Sequence, residues 1–200
     1  KCGDGKVQAG VEECDDANMV DNDACSNACK LPPSKIVFVT SVMYTGNLGG
    51  LDGADMKCQQ RAQAANLPGT YRAWLSDNNG SPSTRMSKVG GPYKLVNGTT
   101  VANNWADLID GTLAAPINVT ELGGAAPIGN TTCAGGGFAT VWTNTNINGT
   151  IANAASSCTN WTSTTGGSIW GRATDTNSFW TNWCSGGLCS WNSPIYCIQQ

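Results

Sequence analysis

Ten cysteines and no histidine, in a chain of 200 residues, constrain the fold more than any other feature. An even number of cysteines without histidine favours disulfide bonds and an oxidising compartment. A zinc site of four thiolates needs two closely spaced cysteine pairs, and only Cys25/Cys29 and Cys184/Cys189 are close. We therefore expect disulfides and no zinc. The cysteines are Cys2, Cys14, Cys25, Cys29, Cys58, Cys133, Cys158, Cys184, Cys189 and Cys197.

The composition excludes several classes of function. A chain without histidine cannot build a Ser-His-Asp or Cys-His hydrolase centre. Charged residues make up only 12% of the chain, about half the usual share, and no basic stripe indicates a nucleic-acid partner. No apolar run is long enough to predict a membrane span. A signal peptide or surface anchor, if one exists, is not within this chain.

A step in charge divides the sequence into two parts. Residues 1–30 hold seven acidic and three basic side chains, whereas residues 31–200 hold seven acidic and eight basic ones. The first part has almost no large apolar residues, so bridges or a metal must hold it together. We predict a cysteine-rich module at residues 1–31, a linker at 32–35 and a larger domain at 36–200.

Short apolar segments between polar loops predict an α+β domain. Residues 36–40 are typical of a buried strand, and Asp52 is the predicted N-cap of a helix that ends at Asn66. The helix directs one face to the core, and Cys58 on that face needs a partner from elsewhere in the chain. The buried face comprises Ala54, Cys58, Ala62 and Ala65. Further strands are predicted within residues 71–77, 93–96, 138–143 and 194–199.

The stretch CGDGKVQAGVEECDDANMVDNDACSNAC, from Cys2 to Cys29, resembles a cysteine-rich repeat common in myxobacterial surface proteins. That repeat has the form CGDG…EECDDGN…DGCSxxC. Here Ala17 and Ala24 replace two of its glycines, and alanine is strained wherever the backbone needs a positive φ. Neither the sequence nor the resemblance fixes how the four cysteines pair.

The larger part resembles the bacterial endostatin-like domain of surface proteins, through FVTSVMYTGNLGGLDGADMKCQ, LPGTYRAWLSD, VWTNTNINGT, CTNWTS and the terminal YCIQ. The resemblance implies a loop-rich, disulfide-stapled α+β fold of the C-type-lectin-like kind. It also implies that Cys58 pairs with Cys197. Cys133–Cys158 and Cys184–Cys189 are then the natural remainder, although six cysteines allow fifteen pairings. Members of this family are exported, and some bind host matrix or plasma proteins.

The acidic stretch ECDDANMVDNDAC has two interpretations. It does not follow the EF-hand spacing, yet Ca²⁺ needs six to eight oxygen ligands and an oxygen-rich cage is available. The candidate ligands are Asp4, Asp15, Asp16, Asn18, Asp21 and Asp23. Alternatively, these side chains form a solvated acidic face and cap turns.

An aromatic cluster near the end of the chain also has two interpretations. Sugars stack on tryptophan while a few polar groups contact their hydroxyls, so the cluster predicts a glycan-binding site. Alternatively, the aromatic rings pack in the core. The candidate ligand-binding residues are Arg172, Asp175, Asn177, Trp180, Asn182, Trp183 and Asn192. The EPN, QPD and WND signatures of calcium-dependent sugar binding are missing, so any glycan contact is expected to be direct.

No spacing singles out a catalytic pair of carboxylates, and we expect no enzyme and no catalytic residue. The predicted function is that of a secreted or cell-surface binding or adhesion protein that recognises a glycan or an extracellular protein. The alternative is a structural subunit of an extracellular appendage or coat, which would associate with itself.

Overall fold

The computed structural model describes residues 1–21, 25–88, 90–130, 133 and 136–200, and it has the expected α+β, loop-rich character. The helices are α1 (Gly50–Ala64), α2 (Pro82–Arg85), α3 (Trp105–Leu108) and α4 (Cys158–Trp161), with a 3₁₀ turn at Ser178–Trp180. The strands are β1 (Lys35–Val39), β2 (Tyr71–Ala73), β3 (Tyr93–Leu95), β4 (Thr100–Ala102), β5 (Thr140–Trp142), β6 (Gly167–Arg172), β7 (Cys184–Leu188) and β8 (Tyr196–Gln199). Within the described ranges, no helix has the length and apolar character that crossing a bilayer requires.

The larger sheet has the strand order β2-β8-β1-β3-β4. The last strand, β8, lies between β1 and β2 and is antiparallel to both, while β1 and β3 run parallel. Lys35 pairs with Tyr93 in the parallel ladder, so β1 begins one residue earlier than the sequence indicated. Lys35, the last residue of the expected linker, therefore belongs to the larger domain, because its backbone pairs with β3.

Helix α1 packs one face on this sheet, as its spacing predicts. Ala54, Cys58 and Ala62 are fully buried. The N-cap position was predicted wrongly: Gly49 precedes the helix in a left-handed conformation, and Asp52 lies within the first turn. Asn66, with φ of 55°, follows the helix end in the conformation expected of a helix-terminating residue.

The smaller sheet has the order β5-β6-β7 and carries much of the aromatic core. Trp142 in β5 and Trp170 in β6 are edge-on neighbours, with ring centroids 5.2 Å apart. Gly187 in β7 leaves space for the Trp170 indole, which any Cβ at that position would hit. Five tryptophans are fully buried, namely Trp74, Trp142, Trp161, Trp170 and Trp180. The core interpretation therefore holds for most of the tryptophans.

All ten cysteines are paired, in five disulfides. The bond Cys58–Cys197 joins α1 to β8 and confirms the pairing that the resemblance implied. The other bonds are Cys2–Cys29, Cys14–Cys25, Cys133–Cys184 and Cys158–Cys189.

The expected pairs Cys133–Cys158 and Cys184–Cys189 are wrong, and the β6–β7 register gives the reason. Cys184 begins β7 and Cys189 directly follows its end, roughly 15 Å away at the usual rise of a strand, which is too far for a disulfide. Leu188 lies opposite Gly167 at the start of β6, so Cys189 emerges beside the preceding α4 turn and its Cys158.

Helix α4 is a single left-handed turn. Its four residues, Cys158 to Trp161, have φ values between 50° and 60°. This conformation costs roughly 1–2 kcal/mol for each residue with a Cβ. The surrounding structure holds the turn in place: Cys158 is disulfide-bonded, and the Trp161 carbonyl accepts hydrogen bonds from the amides of Leu48 and Gly49.

Candidate functional site

In the N-terminal module, Asp15 organises the loop between the two disulfides. Its carboxylate accepts hydrogen bonds from the backbone amides of Gly3, Asp4, Gly5 and Ala17, at 2.9–3.2 Å. These amides, the Ala17 amide most of all, hold the pKa of Asp15 below its usual value. The stabilisation from this carboxylate is therefore present at neutral pH and is lost on acidification, as pH falls through the lowered pKa.

The other expected calcium ligands also bond to nearby backbone. Asp4, Asn18 and Asp21 accept hydrogen bonds from the amides of Lys6, Val20 and Asn27, as the turn-capping interpretation predicts. Asp16 differs, because its buried Oδ2 has no hydrogen-bond partner among the residues that the structure describes. Asp23 lies outside the described residues. Calcium binding by this module stays a prediction.

One group of potential metal ligands lies close together in the described part of the module. Oxygen atoms of Glu12 and Asp15 and the sulfur of Cys29 are all within 4.8 Å of one another. The Cys29 sulfur is in a disulfide, so it cannot act as a thiolate. The Asp15 oxygens already accept four amides. This group is therefore better described as part of the disulfide knot than as a metal centre.

In the larger domain, three of the seven expected ligand-binding residues come together. Arg172, at the end of β6, forms a two-pronged ion pair with Asp175, with Nε–Oδ1 and Nη2–Oδ2 distances of 2.7 and 2.5 Å. Its guanidinium lies 4.9 Å from the ring centre of Trp183 and 5.1 Å from that of Phe138. We call Phe138, Arg172, Asp175 and Trp183 the aromatic platform.

The other four residues have different neighbours. Trp180 is fully buried against Trp74, so it cannot contact a ligand, which corrects the expected site at this position. Asn177 accepts from the Phe179 amide at the start of the 3₁₀ turn. Asn182 donates to the side chain of Asn146. Asn192 is exposed; its carbonyl accepts from the Asn130 amide, and its own amide donates to the Asn130 side-chain oxygen.

A cleft of about 280 Å³ opens beside the aromatic platform. Phe138 belongs to both, and Thr174 follows Arg172 by two residues. The walls are mostly apolar, with an amide and a hydroxyl among them. The lining residues are Asn118, Ala125, Ala126, Ile128, Gly137, Phe138, Ala139 and Thr174.

The sequence did not identify the part of this site that comes from residues 118–138. Phe138 was assigned only to a predicted strand, but it lies just before β5 and is partly exposed. The Cys133–Cys184 disulfide ties this segment to the start of β7, next to Trp183. With the correct disulfide pairing, the proximity of the two aromatic residues would have been visible in the sequence.

Carboxylates of the larger domain are mostly engaged in structural contacts. Glu121 is buried and accepts from Ser41 and from Arg61, with the ion pair at 2.6 Å. Asp55 forms an ion pair with Arg85 at 2.6 Å. Asp77 and Asp110 accept amide hydrogen bonds in turns, and Asp107 in α3 accepts from the amide of Asn103 just before the helix. One oxygen, Asp77 Oδ2, is buried without a hydrogen-bond partner in the part of the chain that the structure describes.

These features define a disulfide-rich α+β protein with a small cysteine-rich module ahead of a larger domain. Residues 1–30 match the model of a domain family of unknown function (DUF4215), which fits an N-terminal cysteine-rich repeat. A search of curated proteins found no match to this chain.

Proposed function

We propose that this chain is an extracellular or cell-surface binding protein without enzymatic activity, and that its larger domain has a C-type-lectin-like, endostatin-like fold. Its ligand is a glycan or an extracellular protein, held at the aromatic platform and the adjoining cleft. Five disulfides support an oxidising compartment. The cluster of an arginine with two partly exposed aromatic rings, Phe138 and Trp183, carries the proposal.

The platform suits stacking because its geometry is fixed before a ligand arrives. Asp175 fixes the Arg172 guanidinium, which packs against the rings of Phe138 and Trp183. These two rings also contact each other edge-on, with centroids 5.1 Å apart. Such preorganisation lowers the entropic cost of binding. The cleft offers an apolar surface with few polar groups, as ligand sites commonly do.

The experiment is a glycan array and a panel of extracellular matrix proteins, probed with the 200-residue chain in calcium and again in EDTA. We expect saturable binding that Phe138→Ala weakens at least tenfold. Phe179→Ala is the matched control, because Phe179 is 42% exposed and makes no ring contact with the platform. Thermal melts of both variants show whether each one is folded.

Each outcome has a distinct meaning. Equal loss of binding in both variants, or none in either, would refute the site. No binding to any glycan or matrix protein would refute the function. Binding that disappears in EDTA would support the predicted calcium site, whereas binding that survives would favour direct stacking.

A second candidate function is self-assembly as a structural subunit. Exposed apolar side chains favour it: Val42 and Met43 follow Ser41, whose hydroxyl bonds to Glu121, and Leu122 next to Glu121 is 64% exposed. An apolar patch of this kind is a common contact surface. Sedimentation velocity over a range of concentrations tests this candidate, and a monomer at the highest concentration would exclude it.

A further inference from the structure

Lys35 is a buried cation without a counter-charge. Its residue is only 6% exposed, and its ammonium donates one hydrogen bond, to the Ser87 carbonyl at 2.8 Å. The Tyr93 ring lies 5.8 Å away. Among the described residues, no carboxylate lies within ion-pair distance of Lys35, whereas the ion pairs of Arg61, Arg85 and Arg172 are all complete. Burial alone lowers the pKa of this lysine.

A buried charge with no partner is costly, and proteins usually provide one. An ammonium group has three donors, and the Ser87 carbonyl accounts for one of them. The side chain runs over Gly90, which any Cβ at that position would crowd. The absence of a side chain at Gly90 thus leaves room for the lysine. Within the described residues, one acceptor is bound to the ammonium, so two donor positions remain for a ligand.

Lys35 lines a cleft of about 700 Å³ between the cysteine-rich module and the larger domain. This volume is typical of small-molecule sites. The walls combine two prolines with serine hydroxyls and glutamine side chains. The lining residues are Asp21, Ser26, Lys30, Leu31, Pro32, Pro33, Ser34, Lys35, Ser87, Gly90, Gln199 and Gln200.

Two lysines, Lys30 and Lys35, are among the described residues that line the cleft, and of these two only Lys35 has no carboxylate partner. The Lys30 ammonium is bound to Glu13 at 2.8 Å. Asp21, on the module side, accepts from the Asn27 amide. The Gln199 and Gln200 amides are held by contacts with Pro68, Ile36, Ser87 and Ile198. A negatively charged oxygen of a ligand would supply the counter-charge that Lys35 lacks.

We propose that the cleft between the module and the domain binds a small organic anion, with its carboxylate or phosphate group on Lys35. The site is separate from the aromatic platform and does not depend on it. Carboxylate and phosphate share the chemistry that an ammonium recognises, which is a compact oxyanion. The prolines and the hydroxyl groups form the walls for the rest of the molecule.

The test uses three probes built on one sugar ring: glucuronate, glucose 6-phosphate and glucose. Titration of the isotope-labelled 200-residue chain is followed by the amide signals of Lys35, Ser87 and Gly90. We expect saturable shifts with at least one of the two anions and none with glucose. A response to only one anion assigns the ligand class, carboxylate or phosphate.

Two variants and a pH series complete the experiment. Lys35→Met should weaken anion binding at least tenfold, while Lys57→Met, which removes a lysine lying over the Tyr44 ring, should leave it unchanged. In the wild-type chain, anion affinity should fall as pH rises through the lowered pKa of Lys35, because the neutral amine has no charge to offer.

Three results would overturn the proposal, and none depends on the folding of a variant. They are shifts with glucose equal to those with the anions, no saturable shift with either anion at millimolar concentration, or affinity independent of pH across the titration of the lysine. Loss of glycan or protein binding at the aromatic platform would not bear on this site, because the probes are read at different amides.

Discussion

Ala17 is a residue where the conformation and the side chain conflict. Its φ is 63°, in the left-handed region, and its amide donates to the Asp15 carboxylate that four amides share. The repeat that this module resembles has glycine at the position. The structure explains the glycine, because only a residue without a Cβ adopts this φ at no cost. Ala24, the other replaced glycine, lies outside the described residues.

Replacing Ala17 by glycine should therefore stabilise the module. We expect the free energy of local opening to rise by about 0.5–1 kcal/mol, because relief of the left-handed strain exceeds the extra entropy of glycine in the unfolded chain. Hydrogen exchange at the amides of Gly5 and Ala17, both bound to Asp15, measures it. Ala9→Gly is the control, because Ala9 is exposed and has no positive φ. An equal or larger gain in protection in the control would contradict the explanation.

Individual side chains also mark the limit of what the sequence predicts. Trp180 and Trp183 stand in the same run of Asn, Thr and Ser, and nothing in that run separates them. The structure buries Trp180 against Trp74 and leaves Trp183 partly exposed beside Arg172. The difference arises from the 3₁₀ turn at Ser178–Trp180, which Asn177 caps. No hydrophobic pattern in this part of the sequence predicts the turn.

Among the elements, the left-handed α4 turn has the least favourable backbone. Thr159, at φ of 56°, is β-branched and exposed, so it adds strain without contributing to the core. Its carbonyl accepts from the Thr162 hydroxyl, a bond that any residue at position 159 can keep.

Thr159→Gly should raise the free energy of unfolding of the larger domain by about 0.5–1 kcal/mol, because glycine enters this conformation freely. Urea denaturation followed by tryptophan fluorescence measures the change. The matched control is Thr70→Gly, since Thr70 is exposed and has no positive φ. Glycine there should lower stability by a similar amount. A destabilised Thr159→Gly variant would show that the turn adopts another conformation in solution.

Elements with a strong hydrophobic pattern could be predicted, and the others could not. The pattern of β1 and the face of α1 with Ala54, Cys58 and Ala62 agree with the sequence-based prediction. The α4 turn has no periodicity, and its conformation follows from the Cys158–Cys189 bond. That bond depends in turn on the β6–β7 register, which the glycine-rich sequence of β7 leaves open.

For the whole molecule, the Cys58–Cys197 bond has the largest consequence. It closes a sequence separation of 139 residues and joins α1 to β8, an inner strand of the larger sheet. In the chain-entropy model, a loop of this length restricts the unfolded state by about 4–5 kcal/mol. The Cys14–Cys25 bond, with a separation of 11 residues, acts only within the module.

The double change Cys58→Ala with Cys197→Ala should lower the free energy of unfolding of the larger domain by several kcal/mol. Calorimetry measures the shift of its melting transition. Cys14→Ala with Cys25→Ala is the control, and it should leave that transition unchanged. A comparable loss in both double variants would mean that the module and the domain unfold as one unit.

The position of β8 also governs when this domain can fold during synthesis. Residues 196–199 fill the gap between β1 and β2, and in the described part of the chain no other strand joins those two. A nascent chain shorter than this holds two separated strands and an unpaired Cys58. The ribosome must therefore complete residues 36–199 before the larger sheet can close, so β1 and β2 stay apart until β8 has been synthesised.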